Sequence, residues 1–84
     1  MDRDTKETIV AVWSEVLEID TIDPDADFFA MGGDSRRAVR IIAQLRKELD
    51  MQELPLILIF ECPTVSSLAG AIDDLRKEQA ASTG

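Results

Sequence analysis

The sequence predicts an all-α domain: a four-helix bundle with three longer helices, one short third helix and a long loop between helices 1 and 2. Three observations lead there. Apolar residues recur at offsets of three and four in three separate stretches, the spacing that lines one face of a helix. The run from Leu54 to Phe60 reads equally well as a strand, but no partner strand exists elsewhere in the chain. Proline and glycine fall between the periodic stretches, at Pro24, Gly32, Gly33, Pro55 and Pro63. With 84 residues, 45% of them hydrophobic, the chain can build one small core. Residues 1–84 therefore read as a single domain, ordered over about 5–78.

The first helix covers about residues 5–18, where Ile9, Val12, Trp13, Val16 and Leu17 form one stripe and Trp13 is the core anchor. Asp4 and Glu7 have the spacing of a capping box, with an acid in place of the usual Ser or Thr. Residues 19–34 have no helical period and carry Ile19, Ile22, Phe28 and Phe29 as scattered pins to the core. A loop of that length without structure of its own is uncommon in a compact domain and is often functional. The second helix begins at Ser35 and runs to about Leu49, with Ala38, Val39, Ile42, Leu45 and Leu49 as its stripe and Ile41 widening it. Residues 56–61 read as the short third helix, with Pro55 at or before its first turn. Pro63 stops it, Thr64 caps the fourth, and Val65, Leu68, Ala69, Ile72 and Leu75 carry that helix to about Lys77. Gln79 to Gly84 form a small, polar, mobile tail.

The formal charge of −8 is unevenly placed. Residues 1–34 hold ten acids against Arg3 and Lys6, whereas residues 35–84 hold seven charges of each sign. Such a surface repels nucleic acid and anionic lipid and suits a partner with a basic docking face. One cysteine leaves no internal disulfide, and the lack of histidine leaves no His-based triad or zinc site. Cys62 reads as a small buried residue. The charged start, Met1 to Glu7, has no apolar signal region, and the run Leu56 to Phe60 is too short to span a membrane. A soluble, cytoplasmic monomer is expected; Met1 with the short tail fits a free-standing protein and a domain cut from a longer one equally well.

The stretch Phe28-Phe29-Ala30-Met31-Gly32-Gly33-Asp34-Ser35 is the candidate site. The glycines can take positive φ and let another molecule approach the backbone. Either Asp34 or Ser35 can cap the helix that follows. A serine at that junction lies beside unpaired N–H donors and the positive end of the helix dipole, where a phosphate is favoured. Nothing in the chain activates Ser35 as a nucleophile: histidine is absent, Lys6, Lys47 and Lys77 fall on polar helix faces, and a short bundle has little concavity. No catalytic residue is assigned, and the chain reads as a non-enzyme. Asp23, Asp25, Asp27 and Asp34 match positions 1, 3, 5 and 12 of a calcium loop, but Phe28 stands where that loop needs glycine and Asp34 where it needs glutamate, so no metal site is assigned. Arg36, Arg37 and Arg40 oppose the helix dipole at a cost of about 0.3–1 kcal/mol each at exposed sites. They serve either to recognise a partner or to balance the acids of the preceding loop.

Asp27-Phe28-Phe29 followed by Gly32-Gly33-Asp34-Ser35 resembles the attachment motif of peptidyl carrier proteins, the thiolation domains of nonribosomal peptide synthetases, within the phosphopantetheine-binding carrier family. Ala38 and the apolar residues after it, then Leu54-Pro55-Leu56, Phe60, Pro63-Thr64-Val65 and Leu68-Ala69, continue the resemblance over nearly the whole chain. It implies that a phosphopantetheinyl transferase attaches 4′-phosphopantetheine from coenzyme A to Ser35, with Gly33 and Asp34 beside it. The thiol of the arm then carries an aminoacyl or peptidyl thioester in nonribosomal peptide or hybrid natural-product biosynthesis. An adenylation enzyme or domain loads it using ATP, and condensation or tailoring enzymes use it. The family usually has leucine directly after the serine and often another apolar residue next; Arg36 and Arg37 stand there in this chain. Met31, Arg36, Arg37, Arg40 and Ile57 are the expected docking residues, meeting partners through an acidic or hydrogen-bonding patch. An acyl or aryl carrier of a polyketide or related pathway is the nearer alternative, and a helical interaction module without prosthetic group the further one.

Overall fold

In the computed structural model, residues 4–83 are described, with side chains to Glu78; Met1, Asp2, Arg3 and Gly84 lie outside the described residues. The four helices are α1 (Thr5–Leu17), α2 (Ser35–Glu48), α3 (Ile57–Glu61) and α4 (Val65–Thr83). α1 packs on both α2 and α4, and α3 packs on α4. The core between them holds Ile9, Val12, Trp13 and Val16 of α1, Ala38, Ile41, Ile42 and Leu45 of α2, Ile59 of α3, and Val65, Leu68, Ala69 and Ile72 of α4.

Most elements sit where periodicity puts them, with four corrections. Asp4 is the N-cap of α1, but its side chain accepts no capping bond. The start of α1 is held instead by Thr5, whose buried hydroxyl donates to Asp73 Oδ1 on α4 at 2.7 Å and accepts from Arg76 Nη1 at 3.2 Å. Val39, expected in the core stripe, is 52% exposed. A helix turns about 100° per residue, and a core face made by Ala38, Ile41, Ile42 and Leu45 leaves Val39 on the outer flank. α3 begins at Ile57, one residue later than expected. Finally, α4 does not stop near Lys77: residues 79–83, expected as a mobile tail, continue it to Thr83. Gln79, Ala80 and Ala81 are good helix formers, and no glycine or proline intervenes before Gly84. The Thr64 cap is present as expected: Thr64 Oγ1 accepts from the Ser67 N–H at 3.1 Å, and Ser67 Oγ accepts from the Thr64 N–H at 3.3 Å.

The long loop lacks regular structure but not fixed bonds. Ile22 and Phe28 are its buried residues. The Phe28 ring meets Trp13 edge-on, with centroids 5.2 Å apart. Its N–H donates to the Pro63 carbonyl at 2.6 Å, and the Ser66 N–H donates to the Pro24 carbonyl at 3.0 Å, so the loop is tied to the junction of α3 and α4. The Phe28 carbonyl accepts from the N–H groups of Met31 and Gly33 at 3.2 and 3.1 Å, which folds the chain back toward α2. Phe29, expected as a pin, is 39% exposed and stacks on Phe60 with centroids 5.6 Å apart.

The two glycines of the turn serve different needs. Gly32 has φ +96°, a conformation other residues adopt only with strain, and open space where a Cβ would be. At Gly33 a Cβ would lie 2.7 Å from Phe28 Cδ2 and closer still to two further ring carbons. The space above Gly33 is thus filled by the core aromatic rather than left for a visiting molecule, which corrects half of the expectation placed on this pair.

Truncating Phe28 to alanine is expected to lower the unfolding free energy by about 3–5 kcal/mol, a large share of the roughly 5–15 kcal/mol typical of a domain. Phe29→Ala removes the contacts of a part-exposed ring with Phe28 and Phe60, aromatic pairs worth about 0.5–1.5 kcal/mol each; urea denaturation followed by circular dichroism measures both. By the same measurement Gly33→Ala should cost about 1–3 kcal/mol, as overpacking against a fixed ring does.

Candidate functional site

The turn after Phe28 delivers the chain to α2 in extended form at Asp34, with φ −146° and ψ −177°. Asp34 is the N-cap, and Ser35 is the first helical residue. Asp34 Oδ1 accepts from the Arg37 N–H at 2.9 Å, and the Asp34 carbonyl opens the helical ladder by accepting from the Ala38 N–H at 2.9 Å. The Arg37 guanidinium adds a second contact, Nη1 to Oδ2 at 3.0 Å. These contacts hold the Asp34 carboxyl below its ordinary value of 3.8, the Arg37 backbone N–H contributing most, a small desolvation opposing it, and the positive charges of Arg37 and Arg36 adding to it. The ion pair itself is exposed on both sides and adds little to stability.

Ser35 is exposed, and its hydroxyl bonds to no other side chain or carbonyl among the described residues. The N–H groups of Ser35 and Arg36, in the first turn, likewise have no acceptor there; Arg37 is the one served by the cap. An exposed hydroxyl, two free N–H donors and the positive end of a 14-residue helix therefore converge at one point. The chain has no histidine, Lys6, Lys47 and Lys77 are exposed on other parts of the surface, and the carboxylate next in sequence, Asp34, is engaged by the Arg37 N–H and guanidinium. The surface grooves along α1 and at the end of α2 include neither Asp34 nor Ser35. The arrangement suits a hydroxyl modified by a group delivered from outside.

The acids of the loop are divided among separate tasks. Asp23 Oδ1 accepts from the Asp25 N–H at 2.9 Å, Asp27 Oδ2 from the Ala30 N–H at 3.0 Å, and Asp25 Oδ1 from Ser66 Oγ at 3.3 Å, while Asp34 caps α2. Among the described residues no three acids, cysteines or histidines are grouped as metal ligands. The arginines are also divided. Arg37 pairs with Asp34, whereas Arg36 and Arg40 are exposed and form no ion pair among the described residues. Arg37 thus balances a loop acid by direct contact, while Arg36 acts on Asp34 only through its nearby charge.

Of the other expected docking residues, Met31 is half-buried against the core and Ile57 is 55% exposed on α3. Cys62 is half-buried against the core. The exposed Phe29 and Phe60, with Leu56 beside α3, form an apolar surface that sequence reasoning missed. A signal was available: a five-residue helix has room for little more than one inward position, which Ile59 takes, so the rest of an apolar run there must face outward.

The profile of the family described as "Phosphopantetheine attachment site" matches residues 7–72. Gramicidin S synthase 2 of Brevibacillus brevis is 35% identical over 76 residues; the match covers 90% of this chain and 2% of the synthase, so the chain spans a small fraction of that relative. Among solved structures, a non-ribosomal PCP domain is 33% identical with a TM-score of 0.70, covering 83% of this chain and 88% of that one. A chain of the complex between the phosphopantetheine transferase Sfp, coenzyme A and a peptidyl carrier protein is 28% identical with a TM-score of 0.78, covering 88% of this chain and 95% of that one. The family-wide match spans α1 to α4 and includes the capped turn at Ser35. The chain accordingly belongs to the phosphopantetheine attachment-site family, as a carrier-protein domain of the nonribosomal peptide type.

Proposed function

We propose that Ser35 is the residue to which 4′-phosphopantetheine is joined by a phosphodiester, with Asp34 and Gly33 holding it in place, and that the modified chain carries aminoacyl or peptidyl groups. The observation that carries this reading is the exposed, unbonded hydroxyl at the first position of α2, beside two free N–H donors and a turn that fixes it to the core. The residues fit the group: a phosphodiester on Ser35 Oγ is anionic and belongs at the positive end of a helix. When bound, the arm supplies a terminal thiol that holds an acyl group as a thioester. Asp34 sets the helix start and thereby the direction of the Ser35 side chain. Gly32 permits the sharp turn, and Gly33 permits its close packing on Phe28.

The chain acts in this reading as a carrier and not as a catalyst: the carboxylate beside Ser35, that of Asp34, is committed to capping α2 and to Arg37. Its partners are a phosphopantetheinyl transferase, an adenylation enzyme or domain that loads the thiol, and condensation or tailoring enzymes that take the cargo. The transferase is supported by the carrier complex with Sfp and coenzyme A. No helix among the described residues is long and apolar enough to cross a membrane, and a cytoplasmic monomer goes with these partners.

Incubation with coenzyme A and a phosphopantetheinyl transferase should add the mass of one phosphopantetheinyl group to the intact chain. Peptide mapping places it on Ser35, and Ser35→Ala abolishes it although Ser14, Ser66, Ser67 and Ser82 remain; addition to Ser35→Ala would overturn the assignment. The cap has a pH signature. Because the Asp34 pKa is lowered in the folded state, its stabilising contribution is complete above the ordinary value of 3.8 and is lost as pH falls through the lowered one. The urea midpoint of Asp34→Ala should therefore lie below that of the wild type at neutral pH, and the gap should close only on strong acidification.

A further inference from the structure

α2 is the one segment of the chain with a net positive charge: Arg36, Arg37, Arg40, Arg46 and Lys47 stand against Glu48. The loop before it, residues 18–34, holds six acids and no cation, and every other segment is net negative except the uncharged junction 62–64. The fold sorts the five cations. Arg37 is tied to Asp34, and Arg46 Nε donates to the Leu54 carbonyl at 2.9 Å. Arg36, Arg40 and Lys47 remain exposed, and none of the three forms an ion pair among the described residues. At about 100° per residue these three fall with Ala43 in a sector of roughly 60° that faces away from the core, and Val39 lies between that sector and Ser35.

Local stability does not account for Arg36. A cation in the first turn opposes the helix dipole. Position does account for it. An enzyme that forms a bond to Ser35 Oγ must lay its own surface over the first turns of α2, whereas an enzyme acting on the far end of a long arm need not touch them. Arg40 is five residues from Ser35, about 7.5 Å along the axis at 1.5 Å per residue, and Arg36 is adjacent. The enzyme that modifies Ser35 therefore covers both guanidinium groups, and a covered cation without a counter-charge is costly.

We propose that the phosphopantetheinyl transferase serving this carrier docks with carboxylates facing Arg36 and Arg40 and an apolar contact on Val39. The inference rests on the reading of Ser35 as the attachment residue. The segments outside α2 are neutral or net negative, which adds orientation: an acidic docking surface is attracted to the outer face of α2 and to no other segment as a whole.

Steady-state modification kinetics with coenzyme A, using a transferase that modifies the wild-type chain, test this. Arg36→Glu/Arg40→Glu should lower kcat/KM for the carrier by about tenfold or more, and Arg36→Gln/Arg40→Gln by less, with KM for coenzyme A unchanged. Lys47→Glu, a like change of charge farther along the same face, should stay near wild type. Raising salt from about 50 to about 500 mM should slow the wild type, leave the double glutamine variant nearly unaffected and speed the double glutamate variant. Glutamate in the first turns suits the helix dipole, so circular dichroism should show these variants folded. Unchanged or faster modification of the double glutamate variant overturns the proposal, as does an equal loss with Lys47→Glu, which marks a general charge effect. An effect confined to KM for coenzyme A also overturns it, because the counter-charge is then a phosphate of that molecule. Failure of any transferase to modify the wild type at Ser35 is a different result and removes the underlying reading instead.

Discussion

The contact on which the site depends is that of the Phe28 ring with the bare Cα of Gly33. Phe28 is fully buried and edge-on to Trp13, and its backbone bonds reach Pro63 on one side and Met31 and Gly33 on the other. One side chain thus fixes three things together: the long loop to α1, the loop to the junction of α3 and α4, and the turn that ends at Asp34. The ring can lie there only because residue 33 has no Cβ. Ser35 follows two residues later, so its position in space is inherited from the core rather than from the loop. A loop without helix or strand can present a residue rigidly when it carries such a bond set, because the buried ring and the backbone bonds around it together offset the cost of ordering the residues that hold it.

At the start of α2, two electrostatic demands oppose each other. The helix terminus favours negative charge, which Asp34 supplies, and its carboxyl pKa is lowered accordingly. Two of the next three residues are arginines, with another at position 40. Arg37 is reconciled with its surroundings by folding back on Asp34. Arg36 and Arg40 are not, and they stand in solvent beside the one hydroxyl that the turn presents. Residues that conflict with local preference while the rest of the sequence agrees with it mark places where something other than folding sets the residue type.

The apolar surface is likewise split by role. α1, α2 and α4 bury their stripes, while α3 buries Ile59 and leaves Ile57 and Phe60 largely exposed. Phe60 and Phe29 cover each other by stacking, which continues the aromatic series Trp13, Phe28, Phe29, Phe60 from the core to the surface. The short helix and the long loop are thereby joined on the outside as well as through Pro63.

Much of this was legible in the residues. Helical spacing located α1, α2 and α4, Pro55 and Pro63 bracketed α3, Thr64 marked a cap, and Gly32-Gly33-Asp34-Ser35 marked the site and its family. These are local properties: a stripe, a cap or a turn is set by residues within a few positions of one another. The tertiary structure decided what depends on the return of distant chain. Val39 faces outward because of where α1 and α4 lie, Gly33 is filled by a ring five positions earlier, and Thr5 rather than Asp4 secures α1 through Asp73, a contact across 68 residues. The choice between Asp34 and Ser35 as cap, and the separation of Arg37 from Arg36 and Arg40, turned on side-chain geometry that residue types leave open. Sequence alone determined that a serine stands at a helix start; packing determined that its hydroxyl is free, that its turn is fixed to the core, and that two unpaired arginines surround the approach to it.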